Sequence, residues 1–205
     1  MKKFVNSLTI FRIVAAFAII PTLMFQMYWL SFLLFFFGAL SDWFDGWLAR
    51  KYKVTSKIGG VLDHIGDKFL VVNTLILLAI MMPVWFMMPV WFIMIPVILM
   101  VARELYISGL REFLGTQKIE MPVPKARFSM GKIKTALQMK SIGTFLLMFS
   151  LGSILTPDMT SRVLMYIIYY LPFIGIALLW MSLIASLWSA TEYTKTFIEK
   201  IKKIK

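Results

Sequence analysis

Cysteine is absent from the sequence, and histidine occurs once, as His64. Disulfide bonds and thiolate metal ligands are therefore excluded, and a bound metal must be held by oxygen atoms or by that single histidine. Charged residues are also scarce, because they make up 16% of the 205 residues and only ten of them are acidic. The sequence contains no internal repeat and no low-complexity tract.

Hydrophobic residues make up 60% of the chain, compared with about 45 to 50% in soluble domains. This share and a mean hydropathy of +0.81 indicate an integral membrane protein. Six apolar stretches predict an all-α polytopic bundle of six transmembrane helices. They lie near residues 5–26, 29–49, 58–82, 88–113, 132–155 and 163–188. We expect one membrane domain over residues 1–190, a basic cytoplasmic tail over 191–205, and no cleaved signal peptide.

The net charge of +12 is distributed unevenly between the predicted loops. Six crossings bring both termini to one side, where nearly all the loop and terminal lysines and arginines lie. The opposite loops carry Arg162 as their one basic residue. By the positive-inside rule the basic side is cytoplasmic. We interpret the excess charge as a topology signal that also contacts anionic membrane lipids, and we expect no nucleic-acid partner.

Four of the ten acidic residues lie at the junction of the second and third stretches, at Asp42, Asp45, Asp63 and Asp67. Inserting a charged group at membrane depth costs roughly 2.5 to 3.5 kcal/mol of free energy on insertion scales. We therefore expect a cation to compensate the charge of these aspartates. Spacings of three and four residues place each pair on one helix face. Two facing pairs would form a cage for two divalent cations, Mg²⁺ or Mn²⁺. The alternative is a set of charges at a wet helix boundary.

Small and basic residues lie between the aspartate pairs. Gly46, Gly59 and Gly60 would let a bulky ligand approach the backbone. Arg50 and Lys57 could hold phosphate, although Lys57 is equally explained as a positive-inside charge.

Eight positions of this region match the pattern DxxDGxxARx8GxxxDxxxD without a gap. They are Asp42, Asp45, Gly46, Ala49, Arg50, Gly59, Asp63 and Asp67. On these positions the chain resembles the CDP-alcohol phosphotransferase family, and the six apolar stretches extend the resemblance over nearly the whole chain. The resemblance implies a six-helix homodimer with two metal ions beside a cytidine nucleotide pocket. It implies metal binding by the four aspartates and a general-base role for Asp67. The implied CDP-binding positions are Asp42, Gly46, Ala49, Arg50 and Gly59.

Polar residues in the other apolar stretches bear on the acceptor alcohol. Arg103 and Arg111 are eight residues apart and so lie on roughly one helix side. Converging arginines and lysines favour a small phosphorylated acceptor over a neutral alcohol. We predict that the acceptor phosphate is bound by Arg103, Arg111, Lys134, Thr135 and Gln138. Candidate substrate-pocket residues in the first stretch are Asn6, Thr9 and Arg12. A structural Arg103–Glu104 ion pair, and ordinary polarity at the start of the first helix, are the alternatives.

Three segments, NSLTIFR, ARELYISGLRE and GKIKTALQ, are similar to the bacterial phosphatidylglycerophosphate synthase branch of the family. That branch transfers a phosphatidyl group from CDP-diacylglycerol to glycerol 3-phosphate. The similarity implies these two substrates and a bacterial inner-membrane location. The positive-inside rule places the site on the cytoplasmic side.

One segment departs from that branch, because DHIGD stands where a DPxAD-like sequence is expected. We interpret His64 as a packed or interfacial residue, since it points about 100° away from Asp63 on a helix. Inositol phosphate or another acceptor is the alternative substrate. A divalent-cation transporter is a more distant alternative, because it would need neither the glycines nor Arg50 at these spacings.

Overall fold

Six α-helices make up the described part of the computed structural model, and they confirm the predicted all-α class. The structure describes residues 2–52, 57–86, 89–117, 119, 130–154 and 162–202, but not the side chains of 2–6, 43, 45–52, 57–61, 63–64 and 83–86. The helices are α1 Lys2–Met24, α2 Tyr28–Tyr52, α3 Lys57–Phe86, α4 Trp91–Thr116, α5 Met130–Gly152 and α6 Arg162–Lys202.

Within the described part of the chain, four helices are long and apolar enough to cross a membrane. The qualifying segments are Ser7–Met24, Ile65–Met82, Trp91–Thr116 and Arg162–Lys202. The Tyr28–Asp42 part of α2 is a shorter apolar helix. At 41 residues, α6 is roughly 60 Å long, about twice the thickness of a bilayer hydrocarbon core. It therefore continues without a break through Ala190, the predicted end of the membrane domain.

The connection between α1 and α2 is a tight Schellman turn. Gln26 has a φ of 58°, and its N–H donates to Leu23 O at 3.1 Å. The Met27 N–H donates to Thr22 O at 2.8 Å, so two carbonyls of the last turn of α1 are satisfied. Ser31 Oγ then donates to Thr22 Oγ1 at 2.9 Å. These bonds fix α2 alongside α1.

A continuous apolar core joins the helices. α1 packs on α2 and α3, while α5 packs on α6 and also contacts α2 and α3; α4 lies against α3 and α6. Ile19 of α1, Leu75 of α3, Met100 of α4 and Phe149 of α5 are at most 1% exposed. The ring of Tyr28 stacks on that of Phe149 at a centroid distance of 5.4 Å. The core therefore contains side chains from helices throughout the bundle.

The α5–α6 contact depends on a glycine. A Cβ at Gly175 would lie 2.5 Å from Cε1 of Phe145, whose side chain is 1% exposed. Ser141 Oγ of α5 donates to Gly175 O at 2.8 Å, which also requires close approach. These two contacts hold α5, and the polar residues at its start, against α6.

We predict that Gly175→Ala destabilises the protein by about 1 to 3 kcal/mol, because the added Cβ would force the buried ring of Phe145 to shift. Thermal unfolding in detergent measures the effect as a lower midpoint. Gly143→Ala is the matched control, since an added Cβ on this α5 glycine meets no atom within 4 Å. Equal midpoints for both variants would contradict the proposed close contact.

Candidate functional site

Three helices meet at a buried arginine. Arg12 of α1 is 0% exposed, and its Nη1 lies 3.2 Å from Asp42 Oδ1 of α2. The same nitrogen pairs with Asp67 Oδ1 of α3. Arg12 Nε also donates to Ser41 Oγ at 3.5 Å. Two of the predicted metal-binding carboxylates therefore converge on one positive charge.

Gly66 allows α3 to approach α1 at this point. It is buried, and a Cβ there would lie 3.2 Å from Ile13 Cγ1 and 3.7 Å from Arg12 Cδ. Gly66 is one of the two departures from the expected DPxAD-like segment. An alanine would have to displace side chains of α1 by a few tenths of an ångström. The glycine thus brings Asp67 close to Arg12.

A second charged cluster joins α4, α5 and α6. Glu104 Oε1 accepts from Lys134 and lies 3.1 Å from Arg103 Nη1, so Arg103 and Glu104 form an ion pair. Arg103 Nη2 donates to Ser189 Oγ of α6 at 2.9 Å. Buried Arg103 Nε has no hydrogen-bond partner among the described residues.

Tyr193 of α6 connects both arginines of α4. Its hydroxyl accepts from Arg111 Nη2 at 3.2 Å, and its ring centroid lies 5.3 Å from Arg111 Cζ. The same ring centroid is 5.8 Å from Arg103 Cζ. On the other side of the cluster, Lys68 of α3 donates to Ser108 Oγ of α4. Residues from four helices thus fix the positions of the cations.

One cavity of about 270 Å³ joins the two clusters. Asp42 and Asp67 line it together with residues of the basic cluster. All five predicted acceptor-binding residues lie on its wall, together with Lys132, which the sequence left open between substrate contact and topology. Lys68 and Tyr193 also line it and were not predicted from the sequence. The five are Arg103, Arg111, Lys134, Thr135 and Gln138.

Residues 3–188 match the sequence model of the family described as CDP-alcohol phosphatidyltransferase, which covers most of the chain. The chain belongs to the CDP-alcohol phosphatidyltransferase family. This result confirms the resemblance that the aspartate motif indicated.

Relatives of this family member carry the name CDP-diacylglycerol--glycerol-3-phosphate 3-phosphatidyltransferase. The Rickettsia bellii protein is 35% identical over 176 residues, which are 82% of this chain and 88% of the relative. The Yersinia enterocolitica protein is 35% identical over 177 residues, or 81% and 86% of the two chains. The Haemophilus influenzae protein is 31% identical over 193 residues, or 91% and 88%. The similarity therefore extends over nearly the full length of each protein.

Several of the predicted family positions lie outside the described side chains. Asp45, Gly46, Ala49 and Arg50 belong to α2, and Gly59, Asp63 and His64 belong to α3. Asn6 lies in α1 and its side chain is likewise outside the described residues. Thr9 is buried in α1 and does not line the cavity. The CDP-binding assignments and all four metal assignments therefore stay predictions.

The described carboxylates suit a hard divalent cation. Asp42 and Asp67 come from two helices, their side chains are 41% and 37% exposed, and both line the cavity, so the two carboxylates are accessible from it. No group of three or more acidic, histidine or cysteine side chains converges among the residues the structure describes. Asp45 and Asp63, from the same helices, would complete the oxygen donor set that Mg²⁺ or Mn²⁺ prefers.

Arg12 should stabilise the metal-free form of this family member, because it supplies positive charge to Asp42 and Asp67. We predict that Arg12→Met lowers the free energy of unfolding in EDTA by about 1 to 3 kcal/mol, the usual worth of hydrogen bonds to charged groups. Thermal unfolding should show a lower midpoint, and Mn²⁺ should raise the midpoint of the variant more than that of the wild type.

Arg12→Lys is the control for this prediction, since it keeps the charge and loses the forked geometry. Its midpoint in EDTA should lie between those of the wild type and Arg12→Met. An Arg12→Met midpoint equal to that of the wild type in EDTA would show that the ion pairs contribute nothing to stability.

Proposed function

We propose that this protein transfers a phosphatidyl group from CDP-diacylglycerol to glycerol 3-phosphate, giving phosphatidylglycerophosphate and CMP in phospholipid biosynthesis. The observation that carries the proposal is the single cavity lined by Asp42 and Asp67 and by five cationic side chains. The names of the full-length relatives give the same reaction.

The charges of the cavity favour a phosphorylated acceptor. Lys68, Arg103, Arg111, Lys132 and Lys134 face one acidic residue of the basic cluster, Glu104. Because Glu104 pairs with Lys134 and Arg103, positive charge remains for an anion. A neutral amino alcohol would leave these cations uncompensated in a partly buried site. The volume, about 270 Å³, is at the lower end of ligand pockets and suits a small acceptor.

The geometry supports a direct displacement at phosphorus. Arg103, Arg111 and Lys134 would bind the acceptor phosphate and so turn the acceptor hydroxyl toward Asp67. Asp67 would take the hydroxyl proton as the new oxygen–phosphorus bond forms to the phosphatidyl group and the bond to CMP breaks. Divalent metal ions held by Asp42, Asp45, Asp63 and Asp67 would neutralise the diphosphate. Arg50 and the glycines of the motif would contact the CDP moiety.

We further propose that all six helices cross the membrane, as a homodimer in a bacterial inner membrane, with both termini and the site on the cytoplasmic side. The positive loops and termini support this orientation. The polar residues of α5 support its crossing in a different way: Lys134, Gln138 and Ser141 are buried in the bundle and are not exposed to lipid. A helix enclosed in this way can cross at low mean hydropathy.

The proposed reaction is tested with purified protein, CDP-diacylglycerol and Mg²⁺ or Mn²⁺. We expect CMP release to depend on glycerol 3-phosphate, with little release when inositol phosphate, serine or no acceptor is supplied. Phosphatidylglycerophosphate should form in an amount equal to the CMP. Faster CMP release with inositol phosphate would show that it, and not glycerol 3-phosphate, is the acceptor. No CMP release with any acceptor would refute the proposal that the protein is this enzyme.

The role of Asp67 is tested by Asp67→Asn, because an amide cannot accept the hydroxyl proton. We predict a loss of about 100-fold or more in kcat, within the usual contribution of a general base, while much of the CDP-diacylglycerol binding remains. Glu112→Gln, which removes an exposed carboxylate on α4, should leave kcat unchanged. Full activity of Asp67→Asn would exclude Asp67 as the base.

A further inference from the structure

The end of α6 is packed against α4 far beyond residue 190. Tyr106 Oη and Thr194 Oγ1 are 3.1 Å apart, and the rings of Phe113 and Phe197 meet at a centroid distance of 5.8 Å. Tyr193 is 9% exposed. Tyr193, which belongs to the predicted basic tail, is also part of the cavity wall.

Within that wall, Tyr193 is the residue that touches both arginines of the basic cluster. Two guanidinium groups repel each other, and each has several rotatable bonds, so neither would hold a fixed position alone. The face of an aromatic ring attracts a cation within about 6 Å of its centroid, and both Cζ atoms satisfy this distance. The hydroxyl adds a direct hydrogen bond from Arg111 at 3.2 Å.

The two arginines are also held to different extents by other groups. Arg103 is buried and contacts Glu104 and Ser189 as well as the ring. Arg111 is only partly buried, and among the described residues its side chain is held by the hydroxyl and the ring of Tyr193. Loss of Tyr193 should therefore affect Arg111 most.

We propose that Tyr193 is a positioning residue for acceptor recognition: it holds Arg103 and Arg111 in the geometry that binds the phosphate of the acceptor. The proposal rests on the proposed function of this cavity. It assigns the α6 segment after Ala190 to the acceptor site, in addition to any contact with lipid head groups. Tyr193 contacts the two arginines of α4, whereas Asp42 and Asp67 lie at Arg12 of α1, so CDP-diacylglycerol recognition should not depend on Tyr193.

The test compares Tyr193→Phe, which removes the hydroxyl, with Tyr193→Leu, which removes the ring as well. We expect the KM for glycerol 3-phosphate to rise about threefold to tenfold in Tyr193→Phe and more than tenfold in Tyr193→Leu. The KM for CDP-diacylglycerol should stay within about twofold of the wild-type value. If Tyr193→Leu fails to fold, Tyr193→Phe alone decides the test.

Tyr106→Phe is the matched control, because it removes a hydroxyl from the same α4–α6 contact without touching the cavity. It should leave both KM values unchanged. Unchanged KM values in Tyr193→Phe, or equal rises for the two substrates, would overturn the proposal and leave Tyr193 a packing residue.

A measurement without turnover separates this proposal from the proposed function. Glycerol 3-phosphate and inositol phosphate are titrated into wild type and variants, and the rise in thermal midpoint is recorded. If the wild type binds an acceptor but releases no CMP, the proposed transfer reaction is refuted. Even then, a loss of the midpoint rise in Tyr193→Phe but not in Tyr106→Phe would support the positioning role. An equal rise in wild type and Tyr193→Phe, or no rise in wild type, overturns it.

Discussion

Arg12 is completely buried, and its guanidinium contacts carboxylates from two other helices. Charges inside an apolar bundle are tolerated only when they are paired, and this requirement ties α1, α2 and α3 together at the level of the aspartates. Gly66 removes the side chain that would keep α1 and α3 apart. The same requirement acts at Glu104, which holds Lys134 of α5 beside Arg103 of α4. Ion pairs between helices therefore position both groups of charged residues that line the cavity.

The position of α5 follows from the second of these clusters. Its buried face begins with Lys134 and Gln138, continues through Ser141, and becomes apolar at Phe145 and Phe149. A lipid-facing helix with these residues would be unstable, but α5 is enclosed by α6, α2 and α3. Gly175 allows the close contact with α6 that this enclosure needs. The polar start of α5 can therefore serve the cavity while its apolar remainder stabilises the bundle.

Much of the fold was predictable because apolar stretches and helices follow the same local pattern. The third stretch, expected near 58–82, is Lys57–Phe86, and the fifth, expected near 132–155, is Met130–Gly152. The last was predicted to end near 188, since its polar continuation to Lys202 carries no hydropathy signal. The aspartate motif and the acceptor residues were found from spacing and from polarity in apolar segments. The partners of Arg12 and the role of Tyr193 depend on contacts between distant helices, which no local pattern predicts.

Asp67 and Lys68 show how α3 fixes the acidic and the basic residues of the cavity relative to each other. They are consecutive on α3 and so point about 100° apart. Asp67 contacts Arg12 of α1, whereas Lys68 contacts Ser108 of α4. Both line the same cavity, so one turn of a rigid helix fixes the proposed base relative to a cation of the proposed acceptor site. A loop in this place could not hold that separation. Because reaction rates depend steeply on such alignment, the rigidity of α3 is itself a contribution to the proposed transfer.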